Sequence, residues 1–185
     1  MSNKLNVFSV LDGHLSTFKD SNGKLWKGDL FTFFILPIAV AFLCLYFDVD
    51  FKEQIIGILV TSSSIFTGLL LNLLILVYDQ KTRLSKVNNT IEGWEKLNSK
   101  HNLIAELYYN ISYSTLISLL ILVISVIHLC ISDIFTSQYD FKEITIYSFD
   151  ISKFTTTPLL VFCCINLVFT VLIIIKRIYS LLLSD

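Results

Sequence analysis

Proline, glycine and charge are all scarce in this sequence. Its 185 residues include 2 prolines and 6 glycines, a composition that fits neither a disordered nor a fibrous chain. Charged residues make up 16% and hydrophobic residues 54%, and the mean hydropathy is +0.70. A soluble domain of this length leaves many side chains in contact with water, so the composition excludes a water-soluble globule. The formal net charge of −1 provides no broad positive field to attract nucleic acid.

What the chain has instead is four apolar runs, at 30–47, 55–78, 111–132 and 157–175. At 1.5 Å per residue the first two reach about 27 Å and about 36 Å, against a hydrocarbon core of roughly 30 Å. Backbone groups in lipid must be hydrogen-bonded within their own segment, so the runs are predicted to be helices. The predicted fold is all-α, a four-helix transmembrane bundle. Membrane lipid is therefore the first expected partner.

Lysine and arginine are distributed unevenly among the segments that flank these runs. Eleven of the 14 lie before the first run, between the second and third runs, or after the fourth, and three lie in the other two connections. Cytoplasmic segments of membrane proteins carry an excess of basic residues. We therefore expect both termini and residues 79–110 to be cytoplasmic. The units are then a head at 1–29, runs one and two at 30–78, and a tail at 176–185.

The head contains two local patterns. Apolar side chains recur at three- and four-residue spacing, which predicts a helix lying on the membrane surface: Phe8, Leu11, Leu15 and Phe18. Gly13 weakens this prediction. Further on, Asn22-Gly23 is typical of a two-residue β-hairpin turn.

Residues 79–110 are predicted to form a cytoplasmic helical hairpin with its turn at 98–102. One face of the first helix carries a narrow apolar stripe, formed by Leu84, Val87, Ile91 and Trp94. Two interpretations fit this stripe equally well. It either docks a cytosolic protein or a second copy of the chain, or packs within the hairpin.

The last two runs belong to a unit at 111–175, with an outer loop predicted at 133–156. Between Phe141 and Phe149 the loop is rich in β-branched and aromatic residues that partly alternate with polar ones. This pattern predicts a short exposed β-hairpin.

Small and polar residues share one face of the second run, formed by Gly57, Thr61, Ser64, Gly68 and Asn72 and widened by Ser62, Ser63 and Thr67. Membrane helices associate where small residues allow close backbone approach and polar side chains meet, so this face predicts helix packing. A water-lined pore is the alternative. The third run has a comparable stripe that includes His128, for which a helix-bridging hydrogen bond is a simpler role than a proton relay.

Sequence signals for catalysis are missing. No acidic or basic side chain lies deep in any run, which disfavours an ion-coupled carrier and excludes a voltage sensor. The four cysteines lie inside the runs, without a CxxC pair or a histidine at metal-ligand spacing. His14 and His101 are expected to be isolated in the soluble parts of the chain. We expect no catalytic residue, no metal and no cofactor.

The block Thr61-Ser62-Ser63-Ser64-Ile65-Phe66-Thr67-Gly68-Leu69-Leu70-Leu71-Asn72-Leu73-Leu74 runs on into Val77-Tyr78-Asp79-Gln80. Together with the four-run layout and the helical hairpin, it resembles the small membrane subunit of the bacterial Kiwa anti-phage system. The resemblance implies a homo-oligomer, such as a tetramer, in the bacterial inner membrane. It also implies a cytosolic DNA-binding partner that acts on phage DNA.

The predicted function is a non-enzymatic membrane sensor and scaffold of an anti-phage complex. It docks and regulates the cytosolic DNA-binding partner and does not bind nucleic acid directly. The alternative is a pore- or channel-forming effector that depolarises the cell.

Overall fold

The computed structural model describes residues 7–18, 28, 31–47, 49, 51–86, 94–138 and 142–183. In this part of the chain the fold is all-α, as predicted, and no strand is present. A π-helical turn occupies Phe31–Ile35. The α-helices are α1 (Val7–Ser16), α2 (Leu36–Tyr46), α3 (Glu53–Lys86), α4 (Trp94–Gln138) and α5 (Lys142–Leu183).

Three of these helices are long and apolar enough to cross a membrane. The qualifying segments are Glu53–Arg83 in α3, Lys100–Cys130 in α4 and Phe154–Leu183 in α5. The helical prediction for the last three apolar runs is therefore confirmed. The first run forms a shorter apolar helix, Phe31–Tyr46, which at 1.5 Å per residue is about 24 Å long.

The short helix begins irregularly because of a proline. Pro37 has no backbone N–H to donate to the Phe33 carbonyl four residues earlier. Nδ2 of Asn166, in α5, donates to that carbonyl at 3.2 Å instead. The interruption that Pro37 causes is thus stabilised from a neighbouring helix.

The helices form an open row rather than a closed bundle. α3 packs against α4, α4 against α5, and α5 against α2, while α1 lies on α4. Among the described residues α3 contacts neither α2 nor α5. The predicted four-helix bundle is therefore not confirmed. The number of apolar runs determines how many helices form, and it leaves open which of them pack together.

The helical hairpin predicted at 79–110 is observed only in part. α3 continues past the second run to Lys86, as expected, but α4 begins at Trp94. Residues 98–102 are therefore helical, and the predicted turn there is wrong. Polar residues such as those at 98–102 are also tolerated on an exposed helix surface, where tertiary context overrides a weak local preference.

The outer loop at 133–156 is also largely helical. α4 extends to Gln138 and α5 begins at Lys142, so the predicted β-hairpin around 141–149 is wrong. β-branched and aromatic residues favour a strand only when neighbouring strands pack against them. A helix, in contrast, forms its backbone hydrogen bonds within its own segment and needs no neighbour. The turn predicted at Asn22-Gly23 lies outside the described residues.

Candidate functional site: the α1 junction and the outer face of α3

α3 and α4 are joined by a buried group of hydroxyls. The Ser118 hydroxyl donates to the Ser63 carbonyl at 2.9 Å and lies 2.9 Å from the Thr67 hydroxyl. All three side chains are buried. These contacts place Ser63 and Thr67, which widen the predicted small-residue face, at the packing surface inside the chain.

The predicted face of α3 points away from the rest of the described chain. Thr61, Ser64, Gly68 and Asn72 are exposed and Gly57 is half-buried. A Cβ built on Gly57 or Gly68 would meet nothing within 4 Å. We call these five residues the outer face of α3. Packing through it stays a prediction, and it concerns contacts between chains.

Most polar groups on the outer face are already hydrogen-bonded within α3. The Thr61 hydroxyl donates to the Gly57 carbonyl at 3.0 Å, and the Ser64 hydroxyl donates to the Val60 carbonyl at 2.8 Å. The Asn72 amide differs, because no described residue hydrogen-bonds to it. The face therefore presents small residues and, toward its C-terminal end, one amide that no described residue pairs.

A second polar site lies where α1 meets the row, and its centre is His14. The His14 ring stacks on Tyr113 of α4 with a centroid distance of 3.8 Å and an interplanar angle of 5°. Its Nδ1 lies 2.7 Å from Oδ1 of Asn110, so with this oxygen as acceptor Nδ1 carries the proton. The ring is 4% exposed. The expectation that His14 is isolated is therefore wrong.

The contacts continue from His14 into α5. The Tyr113 hydroxyl donates to Oδ1 of Asn166 at 3.4 Å, and Nδ2 of the same Asn166 holds the Phe33 carbonyl. Phe18 and Phe33 approach the His14 ring edge-on. We call this connected set, with Asn110, the α1 junction.

Close approach of α1 depends on Gly13. A Cβ added there would overlap the Tyr109 ring of α4. The residue that weakens the helix prediction is thus the one that allows the helix to dock, since only glycine leaves room for the ring.

Charged groups lie at the same end of the helices as the α1 junction. Nη2 of Arg177 lies 3.2 Å from Oε2 of Glu106 and donates to the Thr17 carbonyl just beyond α1 at 3.3 Å. A cation beside the last carbonyls of a helix is favourable. Nζ of Lys81 lies 5.4 Å from the centre of the Tyr108 ring, a distance that suits a cation–π contact.

The electrostatics of the junction keep His14 neutral. Burial lowers the pKa of His14 from its ordinary value of 6.5 to about 4, although the hydrogen bond with Asn110 raises this pKa; the positive charge of Arg177 lowers it further. At neutral pH the ring is an uncharged donor packed among aromatic side chains.

No family model, curated protein or solved structure matches this chain.

The remaining predicted residues have mixed outcomes. Nδ1 of His128 lies 2.7 Å from the Thr156 hydroxyl, so the helix-bridging hydrogen bond is confirmed. Val87 and Ile91 lie outside the described residues, as do the side chains of Leu84 and Trp94. The docking stripe therefore stays a prediction. Among the described residues no group of three or more histidine, cysteine, aspartate or glutamate side chains could hold a metal ion.

Proposed function

We propose that this chain is a membrane scaffold subunit that assembles with further copies of itself through the outer face of α3. The observation that carries the proposal is the position of this face at the free edge of an open row of helices. Lipid solvates apolar side chains as well as protein does, so membrane helices associate through close backbone approach and polar contacts. Gly57 and Gly68 offer that approach.

Asn72 gives a second reason for assembly. Its amide lies in the uncharged run 55–78, and hydrocarbon cannot hydrogen-bond to it. A second copy brings another Asn72, whose amide both donates and accepts. A polar contact between membrane helices contributes only about 0.6 kcal/mol on average, so close packing along the whole face supplies most of the association energy.

In this proposal the chain crosses the membrane four times, with Phe31–Tyr46 as the first and shortest crossing. Contacts at the α1 junction and at Lys81 join the head to the start of α4 and the end of α5, and join the end of α3 to α4. All of these segments lie at the same end of the helices. These are the lysine-rich segments of the sequence. Their common location supports a topology with both termini in the cytoplasm.

The same end would dock a soluble partner through the stripe at 84–94. We propose that this partner is a cytosolic DNA-binding protein. We also propose that the assembly senses phage attack at a bacterial inner membrane and then regulates this partner. The support for this defence role is the resemblance of the Thr61–Leu74 block to the Kiwa subunit. The scaffold itself needs no catalytic residue and no cofactor.

The oligomeric state of a Gly68→Leu variant tests the proposal. A leucine there holds a second helix away from α3, so we expect a defined wild-type oligomer and a monomeric variant in native mass spectrometry of nanodiscs. Leu69→Phe is the matched control, because Leu69 is exposed but lies about 100° around the helix. A monomeric wild-type chain, or a Gly68→Leu oligomer of unchanged size, contradicts the proposal.

A pore is the second candidate, because the outer face carries Thr61, Ser64 and Asn72. If the copies surrounded a lumen, these side chains would line it. The hydroxyls of Thr61 and Ser64 are turned to their own helix carbonyls, which favours packing. Ion flux into liposomes that an Asn72→Leu variant abolishes, without a change in oligomer size, would favour the pore.

A further inference from the structure

α1 is held on the membrane helices through one titratable ring. We propose that α1 is a proton-released latch, which docks on α4 while His14 is neutral and leaves it when His14 takes up a proton. The inference concerns the head of the chain and does not depend on the oligomer.

The geometry of docking centres on three neighbouring residues. Gly13 lets the helix approach the Tyr109 ring, His14 stacks on Tyr113, and Phe18 is buried against Phe33. Elsewhere in α1, Val7, Phe8 and Leu11 are exposed. His14 is therefore the only side chain within α1 that is fully buried.

The neutral ring fits this site and a charged ring does not. Nδ1 donates to Asn110, whereas Nε2 has no acceptor among the described residues. A second proton would sit on Nε2, for which the described residues supply no acceptor, in a side chain that is only 4% exposed. Protonation therefore destabilises the docked state, in which the new Nε2–H has no acceptor among the described residues. In the released state water accepts from this group.

The charged groups around His14 add to that cost. From α5 comes Arg177, a cation, and from α4 comes Glu106, whose carboxylate is already paired with Arg177. Phe33 supplies no charge, and Asp12 on α1 is exposed. The Tyr113 face attracts a cation, but no unpaired carboxylate among the described residues meets the ring.

The direction of the pH effect follows from linkage. The pKa of His14 is lower when α1 is docked than when it is released, so the released state binds the proton more tightly. Docking is fully favoured above pH 6.5 and weakens as pH falls, by up to about tenfold per pH unit, until docked His14 itself titrates. Between pH 6.5 and pH 5.5 the docking equilibrium should fall several-fold.

Hydrogen exchange of the full-length chain in nanodiscs tests the latch. The measurement is the protection of the backbone amides at 7–18, each divided by its intrinsic exchange rate at that pH, with 111–130 as internal reference. We expect wild-type protection at 7–18 to fall several-fold from pH 6.5 to 5.5 and further by pH 4.5. The reference should not change.

Two variants make the result specific. His14→Gln keeps a donor for Asn110 without a titrating ring, so its protection should not depend on pH. Gly13→Leu collides with Tyr109 and should abolish protection at every pH. The same pH slope in wild type and His14→Gln overturns the latch, as does a flat wild-type profile or full protection in Gly13→Leu.

A second measurement tests the latch even if the α1 helix of the His14→Gln chain does not dock. NMR titration of labelled histidine should place the wild-type His14 transition well below pH 6.5 and the Gly13→Leu transition near pH 6.5. If His14 titrates at one pH in both chains, docking does not discriminate between its charge states and the proposal is wrong.

Discussion

Nδ1 of His14 and Oδ1 of Asn110 lie 2.7 Å apart, although 96 positions separate the two residues in the chain. The contact joins the head to the first buried turns of α4. It makes α1 part of the membrane-proximal structure rather than an independent surface helix.

Replacing Asn110 should therefore detach α1. Asn110→Leu leaves the buried Nδ1–H of His14 without an acceptor, and an unsatisfied buried donor costs about 1–3 kcal/mol. We expect amide protection at 7–18 to fall at least about fivefold at pH 7.5. Asn102→Leu is the control, because Asn102 is exposed on the same helix. Equal protection in the two variants contradicts the importance of this contact.

The Ser118 hydroxyl, which bridges α3 and α4, should stabilise this helix pair. Ser118→Ala removes the donor to the Ser63 carbonyl, and hydrogen bonds between membrane helices contribute about 0.6 kcal/mol on average, up to about 1.7. The free energy of unfolding in SDS titrations of mixed micelles measures the loss. In Ser112→Ala the lost hydroxyl is bonded to its own helix, at the Tyr108 carbonyl, so the effect should be smaller. A larger loss in Ser112→Ala would argue against the bridge.

The two asparagines Asn166 and Asn72 should separate folding of the subunit from assembly. Asn166→Leu leaves the Phe33 carbonyl without its donor and the Tyr113 hydroxyl without its acceptor, so we expect destabilisation by about 2 kcal/mol or more. Asn72→Leu should leave subunit unfolding unchanged and weaken oligomerisation. SDS titration and native mass spectrometry of both variants check this. A shared phenotype would mean that the outer face of α3 also stabilises the single chain.

The docking stripe predicts a specific loss of partner. Trp94→Ala and Leu84→Ala should each reduce recovery of the proposed soluble DNA-binding partner from native membranes, because they remove apolar area from one face. Arg83→Ala is the control, since Arg83 is exposed and pairs with Asp79. If recovery survives both substitutions, the stripe is not the docking surface.

Long helices were predictable from the sequence because hydrocarbon thickness and backbone hydrogen bonding constrain them directly. The contacts of His14 were not, since they depend on Asn110 and Tyr113, which are far away in the sequence. One signal was present: His14 and Phe18 are four residues apart and lie on one helix face. Gly13 beside them marked a close approach that only the structure relates to Tyr109.

The outer face of α3 shows the opposite case. Its residue spacing was evident in the sequence, but spacing does not distinguish contacts within a chain from contacts between chains. Ser63 and Thr67, about a quarter-turn or more away, make the internal contacts. The prediction of a β-hairpin between Phe141 and Phe149 was wrong for a related reason. Strand preference depends on neighbouring strands, which one sequence does not specify.

The bond from Asn166 to the Phe33 carbonyl spans 133 positions. During synthesis the helix that contains Pro37 leaves the ribosome before α3, α4 and α5, while Asn166, which donates to its Phe33 carbonyl, is made in the last of these helices. The earliest apolar segment must therefore wait, unfinished, until nearly the whole polypeptide has been translated. Truncated chains that stop before residue 166 should therefore expose this segment to proteolysis.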